Sequence, residues 1–241
     1  MRAIGLILQR ELGAYFRGAG GWVIAAFLLF VEGLLFNAFA LDRGERLSSK
    51  VLESFFYLSS GTTMIASILL SMRLFAEERQ ESTLVNLLTA PINDWQIVVG
   101  KWLASFSYLS FILLLSIYIP LLIAVNGSVR GGHLLAGYLG LLLLGGAATS
   151  LGTLASALAR SQVMAAVIGG ALVIGLLLTW PLANQVDPPL ADAVAYLSLH
   201  DKHFTPFMRG EVHSRGVIYF LSVAFMGLLG CRHVLGARRW Q

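Results

Sequence analysis

Residues 75–92 read Phe75-Ala76-Glu77-Glu78-Arg79-Gln80-Glu81-Ser82-Thr83-Leu84-Val85-Asn86-Leu87-Leu88-Thr89-Ala90-Pro91-Ile92. The stretch separates two apolar runs, and its order is charge, helix start, apolar face, proline stop. Ser82 or Thr83 is suited to accept a backbone N–H and open a helix. Leu84, Leu87 and Leu88 then share one face, and Pro91 closes the helix by removing a donor. Asn93 or Asp94 is expected to cap the helix that follows. A bare connector between two spans needs only a few loop residues. This layout predicts a short docking helix gripped by something outside the membrane.

The flanking sequence fixes the medium. Hydrophobic residues make up 57% of the 241-residue chain and charged residues 12%, and the mean hydropathy is +0.76. Soluble domains carry about a quarter charged residues. A helix crosses a bilayer with roughly 20 apolar residues. Six runs qualify: Gly20–Leu41, Phe55–Met72, Trp102–Val125, Leu134–Leu158, Val163–Leu182 and Val217–Leu235. Lipid offers no partner for a free backbone group, so these are read as helices. The ten-residue alternation of a membrane barrel is not visible. The expected fold class is therefore an all-α integral membrane protein, with residues 1–241 forming one domain.

An even number of spans puts both termini on one side. With the ends cytoplasmic, ten of the 17 Lys and Arg residues fall inside, which agrees with the bias towards positive inner loops. Residues 1–18 are expected to form an interfacial amphipathic helix, with Ile4, Leu8, Leu12 and Tyr15 in the lipid. No cleavable leader is evident, since only a short apolar run precedes Arg10 and Glu11. Cys231 is the only cysteine, so no disulfide forms within the chain. The net charge of +4 suits basic inner flanks, and no basic cluster with interleaved aromatics points to nucleic acid.

Two further regions have a distinct character. Ala148, Gly152 and Ser156, preceded by Gly137, Gly140, Gly145 and Gly146, form a small-residue face in the fourth span. Such faces allow close helix approach, and packing within the bundle is favoured over a subunit interface. Residues 183–216 form the longest outer segment. Its aromatic stretch His203-Phe204-Thr205-Pro206-Phe207-Met208 suits a structure dipping into the outer interface.

Several chemistries find little support. Gly100-Lys101-Trp102 lacks the earlier glycine and the hydroxyl residue of a phosphate-binding loop. Any ATP that drives this protein is hydrolysed on another chain. His200, His203 and His213 with Asp201 could ligate a metal, but their spacing is loose and packing or solvation is preferred. Ser150 has no histidine at comparable depth to serve as a base. Glu32 is the one acidic residue well inside a span, with Asn37 further along the same helix. Such a group marks either a substrate or proton path or a satisfied polar contact between helices, and the contact is favoured.

The arrangement resembles the ABC-2 type permeases, membrane subunits of ATP-binding cassette transporters. Their pattern after the second span is F-x-E-E-x-x-x-G-T-L-E-L-L-L-x-x-P, followed by G-K at the start of the third. This chain matches at Phe75, Glu77, Glu78, Thr83, Leu84, Leu87, Leu88, Pro91, Gly100 and Lys101. It departs at Ser82, where glycine is usual, and at Val85, where glutamate is usual. The segment from Tyr196 to Phe220 and the Arg238-Arg239-Trp240 ending are similar to GldF-type, gliding-motility-associated permease subunits.

The resemblance implies a permease in the bacterial inner membrane that dimerises with itself or a sister chain over two cytoplasmic ATPases. ATP and Mg would bind those partners, and this chain would bind no cofactor of its own. The N-terminal helix and a coupling helix over Ser82–Ala90 would form the docking surface. Glu77, Glu78 and Arg79 would make its polar contacts, Ser82, Thr83, Leu84, Leu87 and Leu88 would shape and fill it, and Pro91 would set the exit angle. The expected function is export or extraction of a substrate. The alternatives are a force-transmitting complex acting on an extracytoplasmic protein, a Glu32-dependent secondary transporter, and a Ser150-dependent hydrolase.

Overall fold

The computed structural model describes residues 2–41, 48–83, 92–126, 130–187 and 190–238. Among these residues every regular element is a helix. In chain order they are α1 (Arg2–Arg17), α2 (Ala19–Leu35, continued by a π-helical turn over Phe36–Leu41), α3 (Ser48–Ser71), α4 (Arg73–Gln80), α5 (Asp94–Leu115) and α6 (Tyr118–Asn126). Then follow α7 (Gly131–Leu158), α8 (Gln162–Ala183), α9 (Leu190–Tyr196), α10 (Thr205–Met208) and α11 (Ser214–Arg238).

Six stretches are long and apolar enough to span: Ala19–Ala38, Ser49–Gln80, Asp94–Ile123, Gly131–Leu158, Gln162–Ala183 and Ser214–Ala237. The second, read from sequence as the shortest apolar run, is 32 residues long. After a break at Met72 its helix continues as α4 to Gln80, so the charged residues Glu77 to Arg79 sit on a helix rather than in a loop. The third begins at Asp94, two turns before Trp102, and Asn93 is its N-cap, with its N–H donating to Gln96 Oε1 at 3.2 Å.

Helix α7 is the centre of the bundle, packed by α3, α5, α8 and α11. Its small residues make this possible. A Cβ on Gly145 would meet Leu109 at 2.6 Å, and Cβ atoms on Gly137 and Gly152 would collide with Phe56 and Ser71. The small-residue face is thus turned into the bundle. Ser150 lies on the opposite side of α7, donating to the Ala147 carbonyl and facing Gly227 of α11.

The two ends of the bundle are built differently. At the near end lie α1, α4, the start of α5 and the end of α11, where Gly236 approaches Asp94. Cys231 is buried there beside Phe75, Ile97 and Leu228. At the far end, α9 packs against α8 without burying a residue, and α10 folds back into the bundle. Leu199, Phe204 and Phe207 are fully buried, and Phe207 reaches Gly140, nine residues or roughly 14 Å along α7 from its first turn. Irregular backbone is tolerated at such depth because protein surrounds it.

Helix α1 is amphipathic, as its sequence predicts, but its inner face does not enter lipid. It lies along α5. Tyr15 is fully buried, stacks on Tyr108 at 4.9 Å between centroids, and donates to the Leu70 carbonyl at 2.6 Å. Burial pushes its phenol well above the usual range. The close approach depends on Gly100, where a Cβ would stand 2.9 Å from Ile7.

Candidate functional site

The near end is organised around one lysine. Lys101 belongs to α5 and is 1% exposed. An ammonium has three protons to donate. Here three acceptors from two other helices surround it: Glu11 Oε1 of α1 at 2.8 Å, and Glu78 Oε1 and the Leu74 carbonyl of α4 at 2.9 and 2.7 Å. Arg10 adds a fourth contact, its Nη2 lying 3.3 Å from Glu78 Oε1. Charge this deep in protein is expensive unless paired. The pairing here joins α1, α4 and α5 into one unit.

The break at Met72 is closed by side chains from elsewhere. Ser156 Oγ of α7 accepts the Phe75 and Ala76 N–H groups at 3.0 and 3.1 Å and donates to the Met72 carbonyl at 2.8 Å. Arg79 Nη1 donates to the Ala159 carbonyl at 2.9 Å, just past the end of α7. Helix α4 is therefore pinned on one side by α7 and on the other by Lys101.

Helix α4 ends in a Schellman motif. The Ser82 N–H donates to the Arg79 carbonyl at 3.3 Å and the Thr83 N–H to the Glu78 carbonyl at 2.9 Å. This motif requires a left-handed residue, and Ser82 takes it with φ of 59°. The position where this chain departs from the glycine of the permease pattern is thus the one where glycine would carry no steric penalty. The Thr83 hydroxyl also donates to the Glu78 carbonyl, at 3.3 Å. Both hydroxyl residues thus close α4, and the next helix that they are expected to open lies outside the described residues.

The other candidate residues divide clearly. Glu78, expected at a docking surface, is 7% exposed and faces Lys101, because the helix turn that carries it points into the bundle. Glu77 pairs with Arg73 at 3.3 Å and is more than a third exposed. Leu84, Leu87, Leu88 and Pro91 lie outside the described residues. Glu32 is buried and accepts a hydrogen bond from Ser59 of α3, whereas Asn37 is exposed, so the two do not meet.

At the far end the histidines go to separate partners. His200 Nε2 contacts Ser60 Oγ at 3.0 Å, and His203 Nε2 contacts the Tyr196 carbonyl at 3.0 Å while its ring stacks on Tyr219 at 3.8 Å. His213 is exposed.

Lys101 and Glu11 escaped the sequence reading as site residues. The signal was there. Glu11 falls on the same helical stripe as Ile4, Leu8 and Tyr15, and an acidic residue in an apolar stripe needs a buried cation.

The family comparison agrees with this architecture. A model of the ABC-2 family transporter proteins matches residues 7–208. No curated protein matches the chain. The match begins within α1 and runs through five of the six spans to the end of α10. With six apolar helices and most of its length covered by that model, the chain belongs to the ABC-2 family of transporter proteins and is a membrane-embedded permease subunit.

Proposed function

We propose that this permease couples ATP hydrolysis by a separate cytoplasmic ATPase to export or extraction of a substrate across the bacterial inner membrane. The near end is the cytoplasmic end, in keeping with its share of Lys and Arg. The active assembly is a dimer of two copies or of this chain with a sister permease. The observation that carries the reading is the Lys101 centre. It fastens α1, α4 and α5 together where the chain leaves α4 for residues 84–91.

The physical logic is that of a lever. An ATPase gripping residues 82–91 pulls on α4, and α4 is continuous with the second span across the break at Met72. Because Lys101 and Ser156 tie α4 to the third and fourth spans, the pull moves helices rather than a loop. ATP does useful work only if the ATPase binds two arrangements of the bundle with different affinity. Glu77 and Arg79 stand at the edge of this contact, and Leu84, Leu87 and Leu88 fill it. The GldF-type likeness of residues 196–220 is kept as part of this reading. A Glu32-driven carrier has less support, since Glu32 is closed against Ser59.

The test is recovery of the complex from native membranes in mild detergent. Stoichiometric ATPase with the intact chain, lost on Leu84→Asp or Leu87→Asp, is the expected outcome. Folded chain that brings down no ATPase would sink the ATP-coupled function, and unchanged binding by both variants would remove the docking role of residues 84–91.

A further inference from the structure

Beside the Lys101 centre lies a cleft of about 140 Å³, lined by Arg10, Glu11, Arg73, Glu77, Glu78, Glu81 and Lys101, with Ala14 and Leu74. Its charges do not balance. The three cations all have anions within the chain: Lys101 has Glu11 and Glu78, Arg10 has Glu78, and Arg73 has Glu77 together with the Tyr15 ring at 4.6 Å. The carboxylates are four. Glu81 is exposed at the rim. Glu78 is the deep one, with a side chain 9% exposed, and only its Oε1 is used. Its Oε2 is buried and has no hydrogen-bond partner among the described residues.

A buried carboxylate oxygen left without a donor is costly. The cleft that Glu78 helps to line carries one more negative than positive charge, so it fits a cationic donor on a stem long enough to reach inward. We propose that it receives a lysine or arginine side chain of the ATPase, which bonds Glu78 Oε2 at depth while Glu77 and Glu81 hold it at the rim. The inference rests on the ATP-coupled function proposed above and adds a second, electrostatic contact to the apolar one of residues 84–91. Such a cation would also share Glu78 with Lys101. The partner would then touch the residue that joins α1, α4 and α5, and would not depend on the loop alone.

The experiment uses the full-length permease in detergent with its cognate ATPase, measuring affinity across a salt series. Glu77→Lys combined with Glu81→Lys changes only residues at the rim, so folding is preserved. It should weaken binding by about tenfold or more and flatten the salt dependence. Glu78→Gln should weaken binding in the same direction. If that variant fails to fold, the rim pair decides. A basic-to-acidic change on the ATPase that restores binding to the rim variant would identify the inserted side chain. Unchanged affinity and salt dependence in the rim variant, with binding still lost in Leu84→Asp, would overturn the cleft while leaving the ATP-coupled function intact. Unchanged binding in all variants would overturn the cleft and the docking role of residues 84–91 together, whereas unaltered permease that binds no ATPase would overturn the ATP-coupled function itself.

Discussion

The two ends of this bundle solve the same problem with different physics. Each must fasten non-spanning helices to the spans. The near end does so with charge: Lys101 gathers Glu11, Glu78 and the Leu74 carbonyl. The far end does so with shape: Phe204 and Phe207 are fully buried, with Phe207 set into the gap at Gly140, and His133 Nε2 contacts the Met208 carbonyl at 2.6 Å. Ionic fastening is directional and can be altered by an incoming charge. Packing is insensitive to a partner's charge and holds one arrangement. The charged end is therefore the one that an incoming partner can alter.

The largest expected effect tests the charged end. Lys101→Met leaves buried Glu11 without its cation and Glu78 with only the exposed Arg10, which should cost about 3–5 kcal/mol and lower the melting temperature in detergent. Adding Glu11→Gln and Glu78→Gln should recover most of the loss, because the buried charge is then gone. An unchanged melting temperature in Lys101→Met would show that packing, not charge, holds the near end.

Next comes the far end. A Cβ at Gly140 would stand 2.6 Å from Phe207, so Gly140→Val should displace α10 and cost about 1–3 kcal/mol. Hydrogen exchange should rise over residues 199–208 and stay unchanged over α4. Equal protection in both regions before and after would break the distinction between the ends.

A smaller change sharpens the near end. Ser82→Gly removes the steric penalty of the left-handed turn and should stabilise the end of α4 by about 1 kcal/mol. Slower exchange of the Thr83 amide would report it. Faster exchange would mean that the Schellman turn is not the resting form.

The smallest effect is one of pH, and it belongs to the far end alone. Burial holds the His200 imidazole below its ordinary range despite Asp201, and burial, aided by Lys202, does the same for His203 despite its bond to Tyr196. The unfolded chain therefore takes up protons first. Stability is full above about pH 6.5 and falls as the pH drops through that value towards the lower folded ones. Lower protection factors over residues 199–208 at pH 5.5 than at pH 7.5, after correction for the intrinsic pH dependence of amide exchange, with no change at α4, are the expected pattern. A pH-independent profile would show that neither imidazole helps to hold the segment.

Much of this was written in the chain. The apolar runs specified six helices, because lipid leaves the backbone no other partner. Asn93 was legible as a cap, and the aromatic stretch from His203 to Met208 as more than a free loop, although it enters the bundle rather than the outer interface. Local pattern also marked residues 75–92 as unlike a connector. What it did not decide was direction. Ile4, Leu8 and Tyr15 mark an apolar face equally well whether lipid or α5 lies against it, and only the gap at Gly100 settles the matter. Glu77 and Glu78 are neighbours of identical chemistry, yet one faces outward to Arg73 and the other inward to Lys101, 23 residues further along. The sequence by itself determined the medium, the helices and the kinds of side chain at each end. Tertiary structure alone decided which charges meet, because that depends on how α1, α4 and α5 are brought together, with Glu11 and Lys101 90 positions apart, and no local periodicity carries that distance.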